Sequence, residues 1–169
     1  MNLSPLQQAM RVIQGQRLEI EEQVSALDPA LLNAVPRPGE WSALQIVHHL
    51  VLASEQVGTP SQQAGPRFRP LLYAFVLLAL RLNVRLPLPS PGLEPRGEVA
   101  LPDLLERWRQ AQAGMFDLLE SPQAQSQTRF VHAVIGSMTG GQVLRLSRVH
   151  TAYHTRQLTR QIERARKMT

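Results

Sequence analysis

Apolar residues in this chain recur every three or four positions and nowhere alternate over a useful length, which narrows the fold to packed helices. The first stretch shows it plainly. Leu6, Met10, Ile13, Ile20, Val24 and Leu27 step by three and four, with one interruption at Arg17. The spacing predicts a helix from about Ser4 to Leu27, stopped by Asp28-Pro29. Arg17 lies on the stripe and is expected to snorkel from the bundle edge, the alternative being that it reaches into a site.

Later segments repeat the pattern. A loop carrying Pro36, Pro38 and Gly39 leads to a second helix, where Ser42 and Gln45 have capping-box spacing and Trp41 and Ile46 occupy the staple positions. Trp41, Ser42 and Gln45 are therefore read as starting a helix. Its core stripe runs through Ala43, Ile46, Val47, Leu50 and Ser54. After Gly58-Thr59-Pro60 and a polar loop comes an apolar run, Leu71 to Leu80, with Arg69, Arg81 and Arg85 around it. Ten residues fall well short of the ~20 that span a bilayer, so the run reads as a short buried or interface helix. Residues 86–102 hold five prolines and form a long irregular connection. Leu104, Leu105, Trp108, Ala111, Met115, Leu118 and Leu119 mark a third helix opened by Pro102 and Asp103 and closed by Ser121-Pro122. A last helix starts at Thr139, with Gln142 completing a capping box and Met138 and Val143 as staple pair, and continues to about Arg166. The reading is all-α, with four principal helices and one extra, in a single domain over residues 1–169.

Composition removes several functional classes. With no cysteine, the chain has no disulfide, no thiolate ligand and no cysteine nucleophile, which suits a cytoplasmic setting. The N-terminal residues show neither a basic start nor an apolar signal core. The net charge of +5 comes almost wholly from arginine, without a zinc finger, phosphate loop or basic-aromatic motif, so nucleic acid is set aside as a partner; the short apolar run sets a membrane aside too, the alternative being that it lies on a membrane surface. Arg156, Arg160 and Arg164 repeat every four residues and are expected to offset the dipole of the last helix.

The last helix carries the chemistry. At 100° per residue, Val143, Leu146, His150, Tyr153, His154, Gln157 and Gln161 fall within about 100° of one another. This stripe begins apolar and turns polar. Each buried polar group without a partner costs about 1–3 kcal/mol, and the i, i+4 spacing of His150 and His154 lets one metal ion serve both imidazoles. A third ligand must come from elsewhere. On the second helix His49 lies on the flank of the core stripe while His48 points nearly opposite to it, so His49 is taken as the ligand and His48 as a surface residue. His132 is read as packing or a hydrogen bond.

Trp41-Ser42-Ala43-Leu44-Gln45-Ile46-Val47-His48-His49-Leu50, followed far downstream by His150-Thr151-Ala152-Tyr153-His154-Thr155-Arg156-Gln157-Leu158, resembles the signature of the DinB/YfiT-like superfamily. In that family a ligand histidine follows the tryptophan by eight residues, here His49. A later motif of histidine, three residues, histidine, then glutamine three further on corresponds to His150, His154 and Gln157. Arg156 stands where many relatives have glycine, and the segment between the second and third helices is longer than in a minimal member. The resemblance implies a DinB-like four-helix bundle with one extra short apolar helix and long connections, one divalent metal ion (zinc or nickel), and a homodimer.

Three neutral imidazoles would leave positions open for a water or thiol nucleophile, the arrangement of a catalytic rather than a closed site. Gln157 is a candidate for holding a ligand ring, with Gln45 and Tyr153 as further candidates that also have capping and core roles. The resemblance further implies transfer of a low-molecular-weight thiol onto an electrophile. Glu55, six residues from His49 and on another face, is no obvious base, and a thiol needs none, which favours transfer over hydrolysis. The competing expectation is a non-catalytic metal- or small-molecule-binding protein, or a dimeric interaction protein using the 71–80 segment.

Overall fold

The computed structural model describes residues 4–58, 66–84, 92–120, 130–132 and 134–167. Among them are six helices and one hairpin: α1 (Pro5–Ser25), α2 (Pro29–Asn33), α3 (Ala43–Gly58), α4 (Pro70–Arg81), α5 (Leu101–Leu119), β1 (Phe130–His132), β2 (Gly136–Met138) and α6 (Gly140–Arg166). The expectations for Arg85, for Thr59-Pro60 and the polar loop after them, for residues 86–91 of the connection, and for Ser121-Pro122 lie outside the described residues.

α1, α2, α3 and α6 begin where side chains take up free backbone N–H groups, whereas α4 and α5 start on a proline in the first turn without a side-chain cap. Ser4 with Gln7 and Thr139 with Gln142 form reciprocal capping boxes. Ser42 and Gln45 do the same for α3, with Ser42 N donating to Gln45 Oε1 at 2.9 Å and Gln45 N to Ser42 Oγ at 3.2 Å. Asp28 does not merely end α1; it caps α2 through Leu31 N. A five-residue helix is too short to show a period, so α2 left no mark in the apolar spacing.

α1, α3, α5 and α6 make the bundle, with α3 against α5 and α1 against α6 as the main pairs, and α4 lying on α6. One apolar cluster gathers Ile20, Val24, Ile46, Val47, Leu50, Leu104, Trp108, Leu158 and Ile162; the other joins Ile13, Tyr73, Val76, Leu77, Met115, Leu119, Phe130, Ile135 and Val143. Because α6 touches α1, α3 and α4, it is buried on more than one side, and Leu144, Leu158, Ile162 and Ala165 are core residues outside the predicted stripe.

Three expectations are corrected here. Arg17 does not snorkel: it is buried, donates from Nε to Gln112 Oε1 at 2.9 Å and pairs with Glu21. A polar partner one helix away made burial affordable, and Gln112 sits on α5 where no apolar pattern marks it. The all-α reading holds with one small addition, a hairpin in which β1 and β2 pair antiparallel with Phe130 opposite Met138 and His132 opposite Gly136. Strands of three residues cannot display alternation. The arginines of α6 do not simply face the helix end. Arg156 donates to Leu80 O (2.9 Å) and Arg160 to Asn83 Oδ1 (3.1 Å), stitching α6 to the end of α4, while Arg164 pairs with Glu40 (2.8 Å). His48 is buried, not a surface residue. Finally, no described helix is long and apolar enough to cross a membrane.

Candidate metal centre

α3 and α6 bring His49, His150 and His154 together. Ser42 fixes where α3 starts, and about two turns later His49 faces α6. His150 and His154 are one turn apart on α6, so their rings approach edge to face at 4.5 Å between centroids. Nε2 of His150 lies 3.0 Å from Nε2 of His154 and 3.2 Å from Nε2 of His49. The three ligand atoms all fall within 4.8 Å of one another. Imidazole nitrogens sharing a tetrahedral zinc stand about 3.3 Å apart, so two of the three spacings already match.

The far side of each ring decides what the near side can do. His49 Nδ1 donates to the Leu93 carbonyl at 2.8 Å, and His154 Nδ1 donates to Gln157 Oε1 at 2.8 Å. Both Nδ1 atoms therefore carry the proton, and both Nε2 atoms are bare acceptors aimed at His150. A neutral His150 has a single proton to offer, so at least one acceptor in the cluster stays unfilled, at a cost of about 1–3 kcal/mol. A cation at the common point satisfies all three, and the donor set passes that test.

Burial keeps the rings uncharged. It lowers the pKa of His49, against the Leu93 bond that raises it. His150 is held well below the usual imidazole range, first by desolvation and then by the neighbouring rings. His154 is pushed down to about 3 by desolvation and by His49, with the Gln157 bond opposing. Neutral imidazole is the form that ligates a metal.

The cluster opens on a cavity of about 870 Å³ that His49, His150 and His154 line together with Trp41, Tyr153 and Gln157. The polar half of the α6 stripe thus faces a cavity rather than the packed core. Trp41 does more than start a helix: its ring lies 4.8 Å from that of His49 and stacks 6.4 Å from that of His154. Tyr153 meets His154 edge to face at 4.9 Å. Gln157 accepts a hydrogen bond from the His154 ring, whereas the carboxamide oxygen of Gln45 is committed to the cap of α3.

Other residues here escaped the sequence reading. Leu93 contributes a backbone carbonyl from an irregular connection, which no side-chain pattern announces. Glu40, Glu94, His132 and Arg160 also line the cavity, brought in by loops and by the far turns of α6. Glu55 is indeed not part of it: Arg107 holds both its oxygens at 2.8 Å.

Comparison with known proteins places the fold and the family. Two solved structures share the architecture. The protein TT2238, described as a four-helix bundle protein, is 20% identical, with 92% of this chain and 98% of that one aligned at a TM-score of 0.59. YfiT from Bacillus subtilis, described as a probable metal-dependent hydrolase with an unusual four-helix bundle topology, is 18% identical over 99% of this chain and 90% of that one, at a TM-score of 0.63. No curated protein matches the chain. The family profile of the DinB superfamily matches residues 13–158, which include all three clustered histidines. The chain belongs to the DinB superfamily.

Proposed function

We propose that the chain is a divalent-metal-dependent enzyme in which His49, His150 and His154 hold a zinc or nickel ion, and that it transfers a thiol onto an electrophile. One observation carries the metal reading: two Nε2 atoms, stripped of protons by the bonds at their Nδ1 atoms, point at a third Nε2 only 3.0–3.2 Å away. A doubly charged ion held by uncharged imidazoles lowers the pKa of a bound water or thiol toward neutrality. The protein's part is to orient and enclose. Leu93 and Gln157 fix the ring orientations, Trp41 and Tyr153 wall the rings, and the cavity takes a small molecule.

Hydrolysis is the second reading, favoured by a specific feature. Glu40 lines the cavity, and while its Oε1 is paired with Arg164, its Oε2 is buried without a hydrogen-bond partner among the described residues. YfiT, which shares the fold, is described as a probable hydrolase. The readings separate in one assay. Protein purified without a histidine tag should carry about one zinc or nickel per chain. Loaded protein mixed with a small thiol and a chromogenic aryl halide should form thioether at a rate abolished in His154→Ala. A rate indifferent to that change removes the transferase reading, and ester cleavage lost in Glu40→Gln would establish hydrolysis in its place.

Self-association belongs to the same proposal. Leu71, Phe75, Leu78 and Leu82 follow one another along α4 with 55–87% of their surface exposed, a stripe that a second copy would cover. A dimer in sedimentation that becomes monomeric in Phe75→Glu is the expected result.

A further inference from the structure

A fourth histidine stands in the same cavity with the opposite polarity. His132 ends β1, opposite Gly136 of β2. The hairpin is pinned from outside by Arg69 N donating to Ile135 O and Ser137 N to Pro66 O, each at 2.9 Å. Gly136 has φ +90°, and a Cβ there would collide with the Arg67 backbone. His132 is therefore held on a fixed mount.

Its Nδ1 accepts from two backbone donors, Val134 N at 3.1 Å and Ile135 N at 3.2 Å. A ring nitrogen facing two N–H groups cannot carry a proton itself. The neutral ring must hold its proton on Nε2, the reverse of His49 and His154, whose Nδ1 atoms donate to oxygen. In this form His132 offers no lone pair at Nε2 and cannot be a fourth ligand. Nε2 has no hydrogen-bond partner among the described residues, and His132 lines the cavity that the three clustered histidines open on. Burial keeps the ring neutral.

We propose that His132 donates a hydrogen bond from Nε2–H to a carbonyl or carboxylate oxygen of the substrate seated in the histidine cavity. This rests on the metal-enzyme reading for its substrate but not for its tautomer. The three clustered rings present acceptors that a cation fills, and His132 presents the donor that an oxygen-bearing substrate fills. Such a contact selects an oxygen-bearing molecule over its hydrocarbon analogue, because the donor would otherwise be left bare in the cavity.

The test has two stages. Long-range 1H–15N spectra of the full chain without metal should show His132 protonated on Nε2 and bare on Nδ1; the other tautomer overturns the proposal whatever the metal does. The variant His132→Asn then removes Nε2–H while its Oδ1 stands where Nδ1 did, able to accept from Val134 N and Ile135 N and keep the hairpin anchored. With cobalt-loaded protein, thiol binding is read from absorbance using N-acetylcysteine, rich in oxygen acceptors, and 1-propanethiol, which has none. The expected result is a roughly tenfold weaker Kd for N-acetylcysteine in His132→Asn, with propanethiol and cobalt affinities unchanged. Equal loss for both thiols, or no loss for either, overturns it. Failure of the unsubstituted protein to bind cobalt would sink the metal reading instead, leaving the tautomer result standing.

Discussion

His48 and His49 are neighbours on α3, both buried, and they meet opposite surroundings. His49 enters a cluster of rings and hands its Nδ1 proton to the Leu93 carbonyl. His48 lies in the fields of Arg107, which lowers its pKa, and Glu55, which raises it, with desolvation the largest influence. Arg107 and Glu55 satisfy each other through a bidentate pair. Nothing in that setting collects a second bare nitrogen. Burial of an imidazole is thus no sign of a site. What marks the site is the orientation forced on several rings at once, so that their acceptors converge.

The sharpest way to break this contrast is to remove one ring from each side. His150→Ala deletes the nitrogen that both other rings approach, and zinc affinity measured by calorimetry should fall by more than ~100-fold, beyond what loss of a supporting contact costs. Without metal the same variant should also lose about 1–3 kcal/mol of stability, since it removes the only proton offered to the Nε2 atoms of His49 and His154 and leaves both bare. A comparable loss of zinc affinity in His48→Ala would erase the distinction between the two histidines.

Acid should act on the cluster strongly and in a fixed direction. In the unfolded chain the imidazoles titrate near 6.5, while in the folded protein His154 titrates at about 3 and His150 well below the usual range. Between those limits the unfolded state binds more protons, so stability falls as pH drops from about 6.5 toward 3, by several kcal/mol in all. Above pH 6.5 both states hold neutral rings and the contribution is flat. Denaturant midpoints of metal-free protein from pH 4 to 8 check it, and a flat profile across pH 4–6.5 contradicts the burial of the rings. Zinc should raise the midpoint and steepen the dependence, because ion and protons compete for the same nitrogens.

How much of this was legible in the sequence differs between elements. The starts of α3 and α6 were readable because capping boxes are local: Ser42 with Gln45 and Thr139 with Gln142 need only their own backbone. The three clustered histidines followed from helical spacing and family resemblance, and Gln157 from its place one turn past His154. His48 was misjudged because a helical wheel drawn for α3 assumes one buried face, whereas α3 packs against both α5 and α6. Arg17 was misjudged because its partner Gln112 lies 95 residues away. The Leu93 carbonyl and the hairpin mount of His132 are products of tertiary structure, and no local pattern encodes them.

Gln157→Leu sharpens the comparison at smaller amplitude. It keeps all three imidazoles but frees the Nδ1 proton of His154, so the ring loses the bond that fixes its tautomer and angle. Zinc affinity should drop about 10–100-fold, less than on loss of a ring. An unchanged affinity would show that packing against Trp41 and Tyr153 alone orients His154.

The smallest effect belongs to His48→Gln, and it tests the opposite half of the contrast. The change replaces a rigid buried ring among α3, Arg107 and Glu55 with a flexible side chain of similar length and a polar end. Folding stability should fall by ~1 kcal/mol, the ordinary cost of an imperfect buried substitution. Zinc affinity and the pH dependence between 3 and 6.5 should both persist, since the clustered rings are His49, His150 and His154 and not His48. A pH profile visibly flattened by this variant would mean that His48 carries much of the proton linkage. The acid sensitivity would then report the α3–α5 face and not the cluster, and the argument from convergent acceptors would have to stand on metal affinity alone.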